Sequence, residues 1–326
     1  MKRTVLVTGG QGFIGGRVCA CLATNVDLKV IATTSSKSTG PSAPGIARTY
    51  LELTDDASMR RACAGVNVVV HLASPNEIVS AADPVRAMTE TGLGTLMLLN
   101  AAIDAGVERF VYFSTAHVYG APLAGRIDEM TLPRPMHPYA IAHRVAEDWV
   151  LAAHEAGKLT GVILRLSNAV GAPASAEVDR WTLVAADLCR QAVEKGGLTL
   201  RSSGSAFRDF IPLSDVARAV EWAMESPSDV IGNGLFNLGG ANTLSVLDLA
   251  EMVRRRCETV LSYRPDISRP SSTGSETPSP LAYQIDKIIG CGFTLTGSLE
   301  QEIDATLRLC RDSFAPIVDL VGDPSA

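Results

Sequence analysis

A glycine-rich turn, TGGQGFIG at residues 8–15, constrains the fold of this chain more than any other sequence feature. It follows a β-branched apolar run at residues 4–8, a pattern typical of a buried parallel strand. An apolar helical pattern continues from the turn to about residue 23. A strand, a glycine turn and a helix in this order predict the first unit of an α/β fold.

Each glycine of the turn has a distinct predicted use. Gly9 permits the tight turn, Gly12 lets a pyrophosphate approach the backbone, and Gly15 lets the helix pack on the strand. An anion on this turn would lie at the N-terminus of the helix, beside Phe13 and Ile14. We therefore predict a dinucleotide-binding site here, with an ordinary turn as the alternative.

The end of the second predicted strand bears on which dinucleotide binds. A carboxylate at this position usually holds the ribose 2′-hydroxyl of NAD, but here the sequence reads ATTSSK at residues 32–37. The hydroxyls of Thr33, Thr34 and Ser35 and the ammonium of Lys37, with help from Arg17, suit a 2′-phosphate. The pattern favours NADP, and NAD held without a carboxylate is the alternative.

Strand and helix patterns alternate through the first half of the chain. Strands are predicted at residues 28–33, 67–73, 110–114 and 160–166, with long helices at 85–105 and 139–156. This alternation predicts a parallel sheet with helices on both faces. Beyond residue 171 the pattern loosens, with helices at 181–195, 214–224 (capped by Ser214), 245–257 and 298–309, an edge strand at 210–212, and a strand at 235–238.

Composition excludes several classes of function. The 326 residues are 46% hydrophobic and carry a net charge of −6 without a basic block, which disfavours nucleic acid and anionic membranes as partners. The longest apolar stretches have the length of strands rather than membrane spans. Seven cysteines lack ligand spacing, so we expect reduced thiols in a cytoplasmic protein and no metal site.

A series of motifs resembles the extended short-chain dehydrogenase/reductase family, and within it the enzymes that modify nucleotide sugars. In order they are TGGQGFIG, VVVHLAS, FVYFSTAHVYG, PYAIAH, LRLSNAVGAP and FRDFIPLSDVARA. The resemblance implies an α/β fold, with a Rossmann-type doubly wound parallel sheet at residues 1–170 and a smaller C-terminal α/β substrate domain at 171–326. A segment around 206–238 is expected to return to the first domain.

The resemblance also implies roles for individual residues. Tyr139 matches the family's acid/base, and Thr115 matches the hydroxyl that binds the reacting sugar oxygen, with Ser114 as the fallback. On the cofactor side, Leu72 and Ala73 match residues that line the cofactor, and Glu52 and Leu53 match a pair near the adenine. On the substrate side, Asn168 matches an amide that contacts the substrate, and Arg208 and Arg269 match arginines that bind the diphosphate.

His143 departs from the family pattern, which has a lysine four residues after the tyrosine. That spacing places Tyr139 and residue 143 on one helix face, where a cation lowers the pKa of a phenol. We expect His143 to bind the nicotinamide ribose and to carry a partial charge near neutral pH, since an unperturbed histidine titrates near 6.5. The alternative is a surface histidine left after loss of function.

Two further departures concern the type of reaction. Thr91 stands where the family commonly has an asparagine associated with the proton relay or the helix geometry. The family's 4,6-dehydratases have Asp-Glu after the active-site threonine, whereas this chain has Ala116-His117. A methyl group cannot protonate a leaving hydroxyl, so dehydration is disfavoured. His117 is a candidate substrate contact, with a packed histidine as the alternative.

The leading hypothesis is an NAD(P)-dependent reductase or 4-epimerase of a nucleotide sugar. One alternative is a reductase of a small carbonyl compound without a nucleotide; Arg208 argues against it unless that guanidinium pairs with Asp209 or Asp215. Another is a dinucleotide-binding protein with an inactive relay. The resemblance further implies a homodimer formed through the helices at residues 85–105 and 139–156.

Overall fold

The computed structural model describes residues 2–35, 43–270 and 279–314, and Lys37 lies outside these ranges. Strands and helices alternate along most of the chain. The strands are β1 (Arg3–Thr8), β2 (Leu28–Thr34), β3 (Ile46–Tyr50), β4 (Val68–His71), β5 (Arg109–Thr115), β6 (Gly125–Ile127), β7 (Thr160–Leu166), β8 (Asn168–Val170), β9 (Gly197–Thr199), β10 (Phe207–Pro212), β11 (Leu235–Leu238), β12 (Thr243–Ser245), β13 (Asp266–Ser268) and β14 (Leu281–Tyr283).

Helices of very different length connect these strands. They are α1 (Phe13–Leu22), α2 (Asp56–Cys63), α3 (Glu77–Ala82), α4 (Pro84–Ala87), α5 (Gly94–Asp104), α6 (Pro138–Glu155), α7 (Val184–Lys195), α8 (Leu213–Glu225), α9 (Ser228–Ile231), α10 (Val246–Leu261), α11 (Asp286–Gly290) and α12 (Leu299–Ser313). A π-helical turn, Met88–Leu93, joins α4 to α5, and a 3₁₀ turn, Ala116–Tyr119, follows β5.

The central sheet is parallel, with the strand order β3-β2-β1-β4-β5-β7-β11 in the described part of the chain. Successive side chains of β5 point to opposite faces. Val111 and Phe113 pack in the layer with α1 and α8, whereas Phe110 and Tyr112 pack in the layer with α2, α5 and α6. The predicted sheet with helices on both faces is confirmed, and its pleat directs Tyr112 toward α6.

A second core is built from the later part of the chain. It lies among α7, α10 and α12, and a three-stranded sheet with the order β12-β10-β8 borders it. β11 lies instead in the central sheet, where it pairs with β7. The predicted substrate residues Asn168 and Arg208 lie on β8 and β10 of this smaller sheet.

Three expectations about local structure are wrong. Residues 85–105 do not form one regular α-helix, because the π-helical turn that contains Thr91 separates α4 from α5. The strand at 210–212 is longer and central rather than at an edge, since β10 pairs with both β8 and β12. Ser214 does not cap α8, whose N-cap is Pro212; the Ser214 backbone N–H instead donates to Glu302.

The helices and the potential metal-binding side chains bear on the broad class of the protein. Among the helices that the structure describes, none combines the length and apolar character needed to span a bilayer. The same part of the chain contains no group of three or more His, Cys, Asp or Glu side chains arranged to hold a metal ion.

Candidate active site

The glycine turn lies against the end of β4, where two predicted cofactor residues are found. Gly9 has a φ of +66°, which favours glycine, and a Cβ atom there would come within 3.0 Å of the Ala73 nitrogen and 3.1 Å of the Leu72 carbonyl carbon. A Cβ atom on Gly15 would overlap the Gly9 carbonyl oxygen. The structure therefore brings Gly9, Leu72 and Ala73 together and explains two of the glycines by close approach.

The N-terminus of α1 is open to an anion. Gly12 is its N-cap residue, no side chain caps the helix, and its first turn contains no acidic residue. Phe13 is buried in the core and Ile14 packs on it, which fixes the first turn. Backbone N–H groups at such a terminus suit a pyrophosphate. These residues fit the diphosphate of a dinucleotide.

The residues predicted to bind the adenosine part of the cofactor form a less complete set than those predicted to bind its pyrophosphate. Thr33 and Thr34 are buried at the end of β2, whereas Ser35 is exposed. Leu53 is buried against Gly94, and the backbone N–H of Glu52 donates to Ser58. Arg17 is bound to Glu302 by two hydrogen bonds of 2.9 and 3.0 Å, so it does not face a 2′-phosphate as expected. This pairing removes one of the arguments for NADP.

Tyr139 and His143 pack against each other on α6. Their ring centroids are 4.3 Å apart in an edge-to-face arrangement. His137 accepts a hydrogen bond from the Tyr139 backbone N–H and so caps the helix just before the pair. The spacing argument is confirmed in its geometry, because one helical turn does place the phenol and the imidazole side by side.

Burial makes His143 neutral, contrary to its expected partial charge. Only 3% of the residue is exposed, and burial lowers the pKa of His143 to about 3. Its Nδ1 atom lies 2.7 Å from the Tyr112 hydroxyl. Its Nε2 atom is buried and has no hydrogen-bond partner among the described residues. The histidine is thus no surface remnant, and it offers one free polar atom rather than a charge.

Burial also affects the phenol of the pair. It raises the pKa of Tyr139 to about 12, while the positive charge of Arg180 opposes that shift and Glu77 reinforces it. Arg180 forms a 3.0 Å salt bridge with Glu77. Reasoning from the sequence missed both residues, and Arg180 lies in the irregular stretch at residues 171–180. The positive charge that acts on Tyr139 therefore comes from Arg180, opposed by Glu77, and not from position 143.

A buried chain of polar side chains connects the glycine turn to α6. Thr8 lies 2.6 Å from Nδ1 of His71, and Nε2 of His71 lies 3.0 Å from the Thr95 hydroxyl. The Thr95 hydroxyl also lowers the pKa of the Tyr112 phenol against the effect of burial, and Tyr112 contacts His143. Sequence reasoning missed this chain, although the polar residues within apolar strands and helices were a usable signal. We call Thr8, His71, Thr95, Tyr112 and His143 the buried relay.

The hydroxyls at the end of β5 differ in their surroundings. Ser114 shares the α6 side of the strand with Tyr112 by alternation, and its buried Oγ has no hydrogen-bond partner among the described residues. Thr115 is buried and accepts a hydrogen bond of 3.2 Å from the His117 backbone N–H. Which of the two hydroxyls serves the substrate stays a prediction.

The charge of Arg208 acts on His117. Both residues are exposed overall, yet burial of the imidazole lowers the pKa of His117, and the charge of Arg208 lowers it further. Asp209 accepts hydrogen bonds from Ser167, Gly240 and Asn242, and Asp215 pairs with Arg218. Neither aspartate is thus the structural ion-pair partner considered for Arg208.

Asn168 and Arg269 are held by backbone contacts. The Asn168 amide nitrogen donates to the Asp209 carbonyl at 2.9 Å, which fixes the side chain beside β10. Arg269 donates to the Ser203 carbonyl at 2.9 Å, in the loop that leads to β10. Two cavities, of about 360 and 250 Å³, lie near β6 and β14 and are lined by none of the predicted site residues.

Comparisons with known proteins agree with this geometry. Residues 5–239 match a model described as the NAD dependent epimerase/dehydratase family. A UDP-glucose 4-epimerase of Rhizobium leguminosarum bv. trifolii is 30% identical over 268 residues, which cover 76% of this chain and 80% of that protein. A dTDP-D-glucose 4,6-dehydratase of Mus musculus is 29% identical, with 96% of this chain and 90% of that protein covered.

Solved structures extend the similarity to the whole fold. The UDP-glucose 4-epimerase of Thermus thermophilus in complex with NAD has a TM-score of 0.78 and 25% identity, covering 95% of this chain and 99% of that one. The Thermotoga maritima UDP-glucose 4-epimerase with UDP-glucose also has a TM-score of 0.78 and 25% identity, covering 96% and 100%. The resemblance inferred from the motifs is confirmed.

Proposed function

Because the chain belongs to the NAD-dependent epimerase/dehydratase family of enzymes, we propose that it catalyses the 4-epimerisation of a nucleotide sugar with a tightly held nicotinamide dinucleotide. The observation that carries this proposal is the Tyr139–His143 pair, with ring centroids 4.3 Å apart on a helix linked to the glycine turn by the buried relay. Thr115 or Ser114 holds the reacting oxygen.

The bound cofactor is NAD in this proposal. Two findings support it, since the Thermus thermophilus epimerase was solved with NAD and the family carries NAD in its description. The expected preference for NADP has no support from these relatives, and Arg17 is occupied by Glu302. Thr33 and Thr34 at the end of β2 accept the ribose without a carboxylate.

Tyr139 transfers the proton in this reaction. Its phenolate would accept the proton of the sugar C4 hydroxyl and, as the phenol, return it to the C4 carbonyl oxygen, and a bound NAD would supply a reversible hydride acceptor. A phenol buried as deeply as this one stays protonated near neutral pH unless positive charge stabilises its anion. Arg180 contributes such charge, and the neutral His143 contributes none.

Arg208 supports a nucleotide sugar rather than a small carbonyl substrate. Arg208 is exposed, its charge acts on His117, and it does not pair with Asp209 or Asp215. A guanidinium presents a planar set of donors that matches a diphosphate. The Thermotoga maritima relative was solved with UDP-glucose, which contains that group. Asn168, His117 and Arg269 form the rest of the proposed substrate-binding surface.

Dehydration is disfavoured even though one relative is a dehydratase. The residue after Thr115 is a buried alanine, and a methyl group cannot donate a proton to a leaving hydroxyl. An inactive dinucleotide-binding protein is the second candidate, because His143 is uncharged and burial raises the pKa of Tyr139. That candidate predicts binding of the cofactor without turnover.

A second copy of the chain completes the proposed assembly. Large exposed apolar side chains concentrate on α3, α4, the π-helical turn and α6, which pack together on one side of the central sheet. They are Ile78, Val85, Met88, Leu93, Ile141 and Trp149. Such a patch suits a homodimer interface. Sedimentation at equilibrium tests this, and a Trp149→Asp variant should shift the mass to that of a monomer.

The decisive experiment measures retained cofactor and turnover on the same preparation. The full chain is purified without added nucleotide, its bound nucleotide is released by denaturation and identified by mass, and C4 inversion of UDP-hexoses is followed by NMR. The proposal expects bound NAD and inversion without added cofactor. Arg208→Ala should raise KM for the nucleotide sugar far more than it lowers kcat, since Arg208 binds the diphosphate and not the reacting carbon.

Other results identify the competing functions. Net reduction of a keto sugar with consumption of NADPH would favour the reductase. Bound dinucleotide with no inversion of any UDP- or dTDP-hexose would favour the inactive protein. A chain that retains neither NAD nor NADP, and does not bind either when titrated, contradicts the proposal.

A further inference from the structure

The free Nε2 atom of His143 raises the question of whether it carries a proton. A neutral histidine has one N–H and one lone pair, and its partner at Nδ1 decides which nitrogen holds which. Here that partner is the Tyr112 hydroxyl, which is itself one member of the buried relay. The direction of the hydrogen bond between Tyr112 and His143 therefore determines whether Nε2 presents a proton or a lone pair.

Thr8 sets the direction at one end of the relay. Its Oγ1 atom accepts hydrogen bonds from the backbone N–H groups of Leu72 and Ala73, at 3.1 and 3.2 Å. These bonds use both acceptor positions of the hydroxyl, so its own proton is donated to Nδ1 of His71 at 2.6 Å. Burial lowers the pKa of His71 to about 3, so its single proton is on Nε2.

The bond between Tyr112 and His143 sets the other end of the relay. Nε2–H of His71 donates to the Thr95 hydroxyl at 3.0 Å, which ends the part of the relay whose directions follow from Thr8. The Tyr112 hydroxyl is buried, and Nδ1 of His143, at 2.7 Å, is its hydrogen-bond partner among the described residues, so the phenol donates its proton to Nδ1. The proton of His143 is then on Nε2.

We propose that Tyr112, within the buried relay, fixes His143 as the uncharged Nε2–H tautomer, and that this N–H donates to the ribose of the nicotinamide nucleotide. Tyr112 is the positioning residue, because it holds the imidazole through Nδ1. His143 thereby takes over the hydrogen bond that the family's lysine donates to the ribose, but it brings no positive charge. The part of this inference that involves the cofactor rests on the proposed function; the tautomer does not.

The groups around His143 are consistent with a neutral ring. Tyr139 packs on one side of it from α6, and Tyr112 contacts it from β5. His71 approaches from β4 through Tyr112 and is uncharged. Glu147, one turn further along α6, is fully engaged by Arg165 and Arg144. Each neighbour is thus neutral or paired, and none of them supplies a free charge to the imidazole.

Nitrogen NMR of the full chain labelled with ¹⁵N-histidine tests the tautomer directly. The chain has five histidines, and the spectrum of a His143→Gln variant assigns the resonance of interest. We expect Nε2 of His143 to show the protonated shift and Nδ1 the unprotonated shift, unchanged between pH 8 and about 5. A protonated Nδ1, or titration near pH 6.5, would overturn the proposal.

Tyr112→Phe tests the positioning role. Removal of the hydroxyl leaves Nδ1 without its donor, so both tautomers should become populated and the affinity for added NAD should fall about fivefold, the loss typical of one misplaced hydrogen bond. The matched control is Tyr283→Phe, which removes another buried hydroxyl, bonded to the Arg165 carbonyl, and should change neither. An unchanged tautomer and affinity in Tyr112→Phe would refute the relay.

The cofactor contact has its own measurement. Adding NAD should move the Nε2–H resonance of His143, and His143→Gln, which keeps an uncharged N–H donor, should retain more NAD than His143→Ala. Equal retention by both variants contradicts a donor role for His143. If NAD does not bind the wild-type chain at all, the proposed function is contradicted. The tautomer of His143 in the cofactor-free protein is then still tested by the nitrogen shifts.

Discussion

Two buried polar residues attach helix α6 to the central sheet in opposite ways. His143 meets Tyr112 of β5 through one hydrogen bond between uncharged groups. Glu147, one turn later, meets Arg165 of β7 through a bidentate ion pair with distances of 2.6 and 2.9 Å. Both attachments are dry, since Glu147 and Arg165 are exposed by 0% and 1% and His143 by 3%.

The difference shows that α6 is attached to the sheet by a buried ion pair at Glu147 and by uncharged groups at His143, the position proposed to take part in the reaction. Charge is placed where it holds α6 to β7, and Arg165 also stacks over Tyr119 at 4.7 Å. Position 143, which is proposed to bind the cofactor, is kept neutral by burial. A buried ion pair tolerates the loss of one partner poorly, whereas a neutral hydrogen bond can be exchanged at lower cost. The two ends should therefore respond very differently to substitution.

Removing the Tyr139 hydroxyl should give the largest effect on activity and almost none on stability. Tyr139→Phe lacks the acid/base, so kcat should fall by about a hundred- to ten-thousandfold. The free energy of unfolding should be unchanged, because the ring packing on His143 remains. Steady-state epimerisation and urea unfolding measure the two quantities. Retention of most of the activity would remove Tyr139 from the mechanism.

Breaking the anchoring pair should give the opposite result. Glu147→Gln keeps the shape of the side chain but leaves the charge of Arg165 buried and unpaired, so the free energy of unfolding should fall by about 3–5 kcal/mol. Chemical denaturation at fixed pH measures this loss. The matched control is the double variant Glu147→Leu with Arg165→Met, which removes both charges and should recover most of the stability. A double variant as unstable as Glu147→Gln would contradict the argument.

Lowering the pH should weaken the attachment of α6 through His143. Histidine has a pKa near 6.5 in the unfolded chain and about 3 for both His71 and His143 in the folded one, so the unfolded chain binds more protons below pH 6.5. Their stabilisation is complete above pH 6.5 and is lost as the pH falls toward 3, by up to about 1.4 kcal/mol per unit for each histidine. The His143→Gln variant should show a shallower slope of unfolding free energy against pH, and equal slopes would contradict a buried neutral His143.

Arg144→Ala should give the smallest effect. Arg144 adds a 3.0 Å contact to Glu147 and a 2.6 Å contact to Asp148 from the solvent side, and its side chain is 30% exposed. Partly exposed pairs of this kind contribute about 0–1 kcal/mol. Urea unfolding should therefore show a loss far below that of Glu147→Gln. A loss of equal size would mean that Arg144, and not Arg165, is the main partner of Glu147.

Local sequence patterns predicted much of the fold and part of the site. The glycine turn, its contact with Leu72 and Ala73, and the adjacency of Tyr139 and His143 all follow from short-range rules of turns and helices. The split of residues 85–105 was not predicted, because a π-helical turn depends on packing against α6. Strand β3 was not predicted either, since its five residues are only partly buried.

By itself, the sequence determined the dinucleotide turn, the alternation that produces a parallel sheet, and the departure at position 143. These are properties of residues close together in the chain. Only the tertiary structure decided that His143 is neutral and that its Nε2 atom has no hydrogen-bond partner among the described residues. That outcome depends on burial between the sheet and its helices and on the hydroxyl of Tyr112 from β5, which lies 31 residues from His143 in the sequence.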